Sequence, residues 1–386
     1  MRFAISKTLA IGLAFAFALA GFGLSALGDD SSQHKALLVG QTDITRAAEA
    51  RQAAQNLSLA RSGGVDANQS LEPQAQFGVS GGNADDETAQ FCCSGTLGAL
   101  VTDGSRMFVL SNNHVLARSN RGKPGEDILQ PGLIDTNCNP GIVVAHLTFA
   151  PPLGDLNVDA AIAEVVPGAM DTSGSISGLG SISSVPRSPS VGLSVQKSGR
   201  TTGVTTGTIQ VINAAVSVVY HKKCVPGKKF SVTYDNQVII GPGSFSDSGD
   251  SGALIVTADG CHQPVGLLVG GGTNNTSANP IRDVLSALQV SVVGNSATCG
   301  GFEFGTGQVV STESLLRANS IAIRHKRTLM STRGIIVVGV GASAEQPGEA
   351  AIVIYVDQAV VPAPPLPTTI EGIPVRIELT DQFVAR

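Results

Sequence analysis

The chain has 386 residues, of which 46 are glycine and only 14% are charged, with no tryptophan and a formal net charge of −5. So much glycine with so little charge suits a β-rich protein with many tight turns, and the length allows two domains plus processing segments. The absence of a basic face argues against nucleic acid and anionic membranes as partners.

Residues 1–28 read as an export signal. Arg2 and Lys7 precede an uncharged run from Thr8 to Gly28, and Ala18-Leu19-Ala20 is a small-x-small site of the kind signal peptidases cut, with a second position open at Leu24-Ser25-Ala26-Leu27. The run is long enough to anchor the chain in a membrane if it is left uncleaved. Its destination is exported, either extracellular or periplasmic. Residues 29–87 read as a pro-segment or linker. Within them Asp43 to Arg61 predicts a helix, with Ile44, Ala47, Ala48, Ala54 and Leu57 broadly on one face and Gly63-Gly64 to end it. The Gly, Asn, Gln and Asp that follow, to Glu87, predict a mobile linker.

From residue 88 to 298 short strands alternate with turn clusters. The clearest are 107–110, 142–147, 160–166, 194–197, 207–212, 216–220, 230–234, 238–240, 253–257 and 265–269. A Ser/Gly/Pro-rich span from Asp171 to Ser190 divides them into two groups, and Asn279 to Leu288 reads as a short helix with Pro280 in its first turn. Residues 299–386 read as a separate small α/β domain. A helix from Ser311 to Thr332 carries Leu315, Ala322 and Leu329 in one row and Leu316, Ile323 and Met330 in the next, with Gly334 as its C-terminal cap. Three strands follow, at 335–340, 351–356 and 375–379. His325, in the basic stretch Arg324–Arg327, reads as part of a solvated helix face, so this domain regulates or docks rather than carrying chemistry.

The chemistry lies in three places. Gly249-Asp250-Ser251-Gly252 can form a tight turn that exposes a hydroxyl and aims two backbone N–H groups at one point, which supplies both a nucleophile and an oxyanion hole. Alone, such a tetrapeptide is also an ordinary turn. Upstream, however, His114 ends the apolar run Phe108-Val109-Leu110 through Ser111-Asn112-Asn113, and Asp159 opens the buried-type run Ala160-Ala161-Ile162-Ala163. A buried carboxylate needs a partner, and an imidazole N–H is a natural one. Asp155 is the alternative acid, but it follows Pro-Pro-Leu-Gly and lacks the apolar run. Cys92-Cys93 has no second CxxC or His cluster near it, and nothing calls for a metal or a cofactor.

With these residues the chain resembles the trypsin/chymotrypsin-like serine peptidases, in the bacterial secreted branch that includes α-lytic protease. Ser198-Gly199-Arg200-Thr201-Thr202-Gly203 and Gly207-Thr208-Ile209 resemble that branch's strand segment before the nucleophile. The resemblance spans roughly residues 90 to 296 and implies an all-β fold of two packed six-stranded antiparallel barrels. It implies His114 as general base, Asp159 as its orienting partner, Ser251 as nucleophile, and the amides of Gly249 and Ser251 as oxyanion hole. The implied activity is a secreted serine endopeptidase acting on polypeptide; the alternative is a catalytically silent trypsin-fold binding or scaffold protein.

The resemblance carries further expectations. The chain lacks the Ile-Val-Gly-Gly start used by zymogens, so Arg200 is expected to pair with Asp250 and hold the oxyanion loop. The serine that often binds the catalytic Asp aligns with Val269, so Asp159 is expected to take other donors, such as backbone N–H groups near His114. Phe245 is expected at the base of the specificity pocket, with Ser248 beside it and Val269-Gly270-Gly271 as its wall and substrate-pairing strand. Phe245 offers no carboxylate, which points to a small or apolar residue before the scissile bond. Six cysteines allow fifteen pairings; Cys138 with Cys92 or Cys93, and Cys224 with Cys261, keep each pair within one barrel.

Overall fold

The structure is a computed structural model that describes residues 75–224, 228–296, 310–361 and 364–385. The signal segment and the helix expected at 43–61 lie outside the described residues.

Apolar residues spaced two apart start the first barrel. Ala75 and Phe77 lie in its core and Val79 is buried as well, so the linker expected to reach Glu87 gives way to barrel before residue 88. β1 (Val79–Asn83) is followed by β2 (Gly95–Leu97) and β3 (Ala99–Thr102), which form one strand bent at Gly98. That bend requires glycine: a Cβ on Gly98 would lie 2.1 Å from the carbonyl oxygen of Gly252. β4 (Met107–Ser111), the single helical turn α1 (Asn113–Leu116), β5 (Asp127–Gln130), β6 (Ile142–Phe149) and β7 (Ala161–Val165) complete the set. The strand order β3-β4-β7-β6-β5-β1-β2, with β2 running into β3, closes a six-stranded antiparallel barrel. The connecting span holds only the small hairpin of β8 (Ser175–Ile176) and β9 (Gly180–Ser181).

The second barrel comprises β10 (Ser194–Gly199), β11 (Gly203–His221), β12 (Lys229–Gly241), β13 (Leu254–Thr257), β14 (Pro264–Gly271) and β15 (Thr276–Pro280). Its order is β10-β13-β14-β15-β12-β11, and pairing of β10 with β11 closes it. The four short strands expected between 207 and 240 are two long ones. Register shifts between Ile209 and Val216 bend β11 where the sequence suggested a break. The outer half of this hairpin therefore extends beyond the barrel. α2 (Ile281–Leu288) then packs Ile281, Val284 and Leu288 into the first barrel's core, and β16 (Ser291–Val292) pairs with β3.

α3 (Thr312–Met330) begins at Ser311, whose hydroxyl accepts from the Ser314 amide at 3.2 Å. It lays Ala318, Ile321, Ala322 and Leu329 on a sheet of β17 (Ile335–Ala342), β18 (Ala350–Asp357) and β20 (Ile373–Thr380). Leu316 and Ile323, in the second row read from the sequence, are exposed. One helix on three strands is as expected, but the segment is not separate. β17 pairs antiparallel with β11 from Val211↔Gly341 to Val216↔Val337, so the C-terminal sheet continues the second barrel. The edge strand β19 (Thr369–Ile370) precedes β20, and the last element, β21 (Phe383–Ala385), folds back between β11 and β14.

Candidate active site

His114 sits on α1, directly after β4, and Asp159 sits just before β7, the strand that pairs with β4 through Ser111↔Ala161. Adjacent strand ends therefore bring the two side chains together. His114 Nδ1 lies 2.6 Å from Asp159 Oδ2, and the His114 amide donates to Oδ1 at 3.2 Å. The backbone of Asp159 is fixed as well: its amide donates to Asn279 Oδ1 at 2.9 Å, and Asn112 Nδ2 donates to its carbonyl at 2.7 Å. Asp159 is fully buried, so the two contacts from His114 offset desolvation of its carboxylate.

A third donor to the carboxylate is Tyr220, on the outer half of β11. Its hydroxyl donates to Asp159 Oδ2 at 3.0 Å, and the Tyr234 hydroxyl lies 3.0 Å from it. A phenol has one proton, so Tyr234 donates to Tyr220 and Tyr220 to the carboxylate. Burial, with Asp159 alongside, pushes the Tyr220 phenol well above its ordinary value. It remains a neutral donor. The amide of His114 was anticipated as a donor; Tyr220 was not. One signal was available: a tyrosine in an apolar alternating strand must find a partner for its hydroxyl.

Ser251 lies on the turn between the barrels. Its carbonyl accepts from the Thr96 amide at 2.9 Å, and Thr96 Oγ1 donates to the Gly249 carbonyl at 2.9 Å, so the bent strand β2–β3 braces the turn. Gly249 has φ +100°, a left-handed conformation that a side chain would strain. The Asp250 amide donates to Asp247 and the Gly252 amide to Leu268, whereas those of Gly249 and Ser251 make no hydrogen bond among the described residues. The Ser251 hydroxyl donates to the Val269 carbonyl at 2.9 Å. His114 Nε2 is buried and has no hydrogen-bond partner among the described residues.

The ion pair expected between Arg200 and Asp250 is replaced by two others. Arg200 takes Asp135 in a forked contact, Nε to Oδ2 at 2.7 Å and Nη2 to Oδ1 at 2.6 Å. The cation at Asp250 is Lys197, with Nζ 3.4 Å from Oδ2 and both side chains fully buried. Burial holds the Lys197 ammonium below its ordinary value, opposed by the Asp250 charge. Asp250 also accepts from the amides of Thr201, Thr202 and Asp247 and from Thr202 Oγ1. Glycine at 199 leaves room for that carboxylate, since a Cβ there would lie 2.6 Å from Asp250 Oδ1. Arg200 still touches the turn, because its Nη1 is where a Gly249 side chain would go.

Of the residues expected to form the substrate pocket, Phe245 is fully buried with Leu193, Val195, Ile209 and Ala253 in the second barrel's core. Ser248 accepts from Thr201 Oγ1 through its carbonyl. Val269, Gly270 and Gly271 are the end of β14, and β21 lies beside them.

Two disulfides are described in full. Cys92–Cys138 is one of the expected pairs. Cys224 pairs with Cys93, not with Cys261, and so ties the β11–β12 hairpin to the first barrel. Cys261 is also disulfide-bonded. Among the described residues no helix is long and apolar enough to cross a membrane.

No family model matches the chain, and no curated protein does. Solved structures do. A glutamic acid specific serine protease that uses a histidine triad in substrate binding is 22% identical, over 56% of this chain and 98% of that one, with a TM-score of 0.40. An α-lytic protease homologue, N4, is 22% identical over 56% and 98% of the two chains, with a TM-score of 0.39. Protease A of Thermobifida fusca is 20% identical over 52% and 92%, with a TM-score of 0.36. These are likenesses in chain trace; the two-barrel arrangement is read from the strand pairings themselves.

Proposed function

We propose that the chain is an exported serine endopeptidase that cleaves polypeptide through an acyl-enzyme. The observation that carries this reading is the His114–Asp159 contact at 2.6 Å beside a serine turn with two unpaired amides. In the reaction, Ser251 Oγ turns from the Val269 carbonyl to His114 Nε2, which takes its proton as Oγ attacks the scissile carbonyl. The Gly249 and Ser251 amides stabilise the oxyanion, and the imidazolium gives its proton to the leaving amine. Water then repeats the sequence on the ester and releases the acid. Asp159 orients the imidazole. Arg200, Lys197 and Asp250 hold the turn without touching substrate. The disulfides favour an oxidising compartment.

A second reading, a silent binding protein, draws on the Ser251 hydroxyl bonding to Val269 rather than to His114. Fluorophosphonate labelling decides between them, since the reagent needs an assembled base and oxyanion hole. Labelling that disappears in Ser251→Ala, with casein hydrolysis that disappears alongside, supports the peptidase. A folded wild type that neither labels nor hydrolyses casein, even in the variants described next, refutes it.

A further inference from the structure

β21 occupies the sheet edge that a peptide substrate needs. Val384 pairs antiparallel with Gly271 and Ala385 with Gly270, while the other side of β21 runs parallel to Val218 and Val219 of β11. The strand heads from Gly271 towards Val269, whose carbonyl accepts the Ser251 hydroxyl. A peptide added to a sheet edge uses those same main-chain groups, so one chain at a time fits there.

The approach is close and anchored. A Cβ on Gly270 would stand 2.2 Å from the Val384 carbonyl oxygen, so glycine at this position is what admits the strand. Phe383 is fully buried against Tyr355, at 6.3 Å between ring centroids, in a core that also holds Val269 and Tyr220. Beside it, Gln382 Nε2 donates to Asp357 Oδ2 at 3.1 Å, and Asp381 accepts from Thr273 and Gln358. The candidate nucleophile at the end of this edge is itself buried, with Ser251 1% exposed.

We infer that the β14 edge at Gly270–Gly271 is a peptide-binding site whose resident ligand is the chain's own C-terminal strand, and that this strand closes the hydrolase to polypeptide until it is displaced. The inference rests on the peptidase reading above. The ligand class is an extended peptide held by its main chain, with a small residue opposite Gly270 and an apolar anchor two residues before it. Here those are Ala385 and Phe383.

The test compares the full chain with two variants, Phe383→Ala, which loosens the anchor, and Ala385→Pro, which disrupts the ladder and leaves the anchor in place. Casein turnover is expected to rise at least about tenfold in each, the change that 1.4 kcal/mol of lost strand docking produces. A synthetic peptide of residues 380–386 is expected to inhibit Ala385→Pro in competition with casein. If Phe383→Ala does not fold, Ala385→Pro decides alone. Fluorophosphonate labelling of Ser251 in every form, with casein turnover within about twofold of wild type, overturns the inference and leaves the peptidase reading standing. Folded variants that never label Ser251 overturn both.

Discussion

Replacing Tyr220 by phenylalanine tests whether the outer hairpin is part of the proposed catalytic site. The substitution keeps the ring, which meets His114 edge-on at 5.9 Å and stacks on Phe230 at 5.4 Å, and removes only the hydroxyl. Asp159 then keeps two of the three donors to its carboxylate, His114 Nδ1 and the His114 amide. A hydrogen bond to a charged group contributes about 1.5–3 kcal/mol. Expressed fully in the transition state, that is a tenfold to more than hundredfold loss at about 1.4 kcal/mol per decade. Because the shorter contact from His114 survives, the lower end is expected: kcat down about tenfold, with KM within about twofold. The constants are best measured with Ala385→Pro in both proteins, so that access of substrate does not limit them. Tyr234→Phe is the matched control, since it leaves the Tyr220–Asp159 bond in place; its effect should be smaller. The reasoning fails if Tyr220→Phe leaves kcat unchanged, or if the loss appears wholly in KM.

Three other outcomes follow from the contacts above. Lys197→Met leaves Asp250 buried without its cation, and breaking a buried pair destabilises by about 3–5 kcal/mol; urea unfolding of this variant reads that loss directly. Removing the Cys93–Cys224 bridge, which closes a span of 131 residues, is worth up to about 5 kcal/mol on the chain-entropy view. Because it pins the hairpin that carries Tyr220, Cys93→Ser with Cys224→Ser should lower kcat at temperatures where circular dichroism shows both proteins folded. Finally, Arg324 and His325 hold the Glu371 carboxyl down at about 2. A depressed carboxylate stabilises the fold above its unfolded value near 4.5, and the contribution is lost as pH falls towards 2. Glu371→Gln should therefore flatten the stability profile in that window, with the variant less stable than wild type at neutral pH and the difference vanishing near pH 2.

Motifs in which one short segment carries its own reason were legible in the sequence. His114 at a strand end, Asp159 ahead of an apolar run and Ser251 between glycines each announce a local geometry, and the two groups of strands gave the two barrels. What escaped depends on contacts distant in sequence. The resemblance pairs Asp250 with Arg200, yet the strand alternation of β10 turns Lys197 inward to Asp250 and lets Arg200 reach Asp135. Cys224 was assigned within its barrel, but a hairpin longer than the barrel carries it to Cys93. The start of the first barrel was hidden because Phe77 and Val79 stand among Gly, Gln and Asn, too few apolar residues to outweigh the composition around them.

The long hairpin explains why the C-terminal segment does not stand apart. Its outer half has two faces and two edges to satisfy, and an isolated two-stranded ribbon is marginal in water. On one edge β11 takes β17; against its apolar side chains, Val216, Val218, Tyr220 and Tyr234 share a core with Val337, Tyr355 and Phe383. Tyr220 can reach Asp159 only while this ribbon keeps its register, because a slip of one residue would turn the phenol to the other face. β12 sets that register directly, and the C-terminal sheet supports it by covering the ribbon's apolar side chains. The same segment that lays β21 across Gly270 and Gly271 also steadies the donor to the Asp159 carboxylate. Deleting the whole segment should therefore release the edge and weaken the acid together, whereas Ala385→Pro separates the two effects by freeing the edge and leaving β17 on β11.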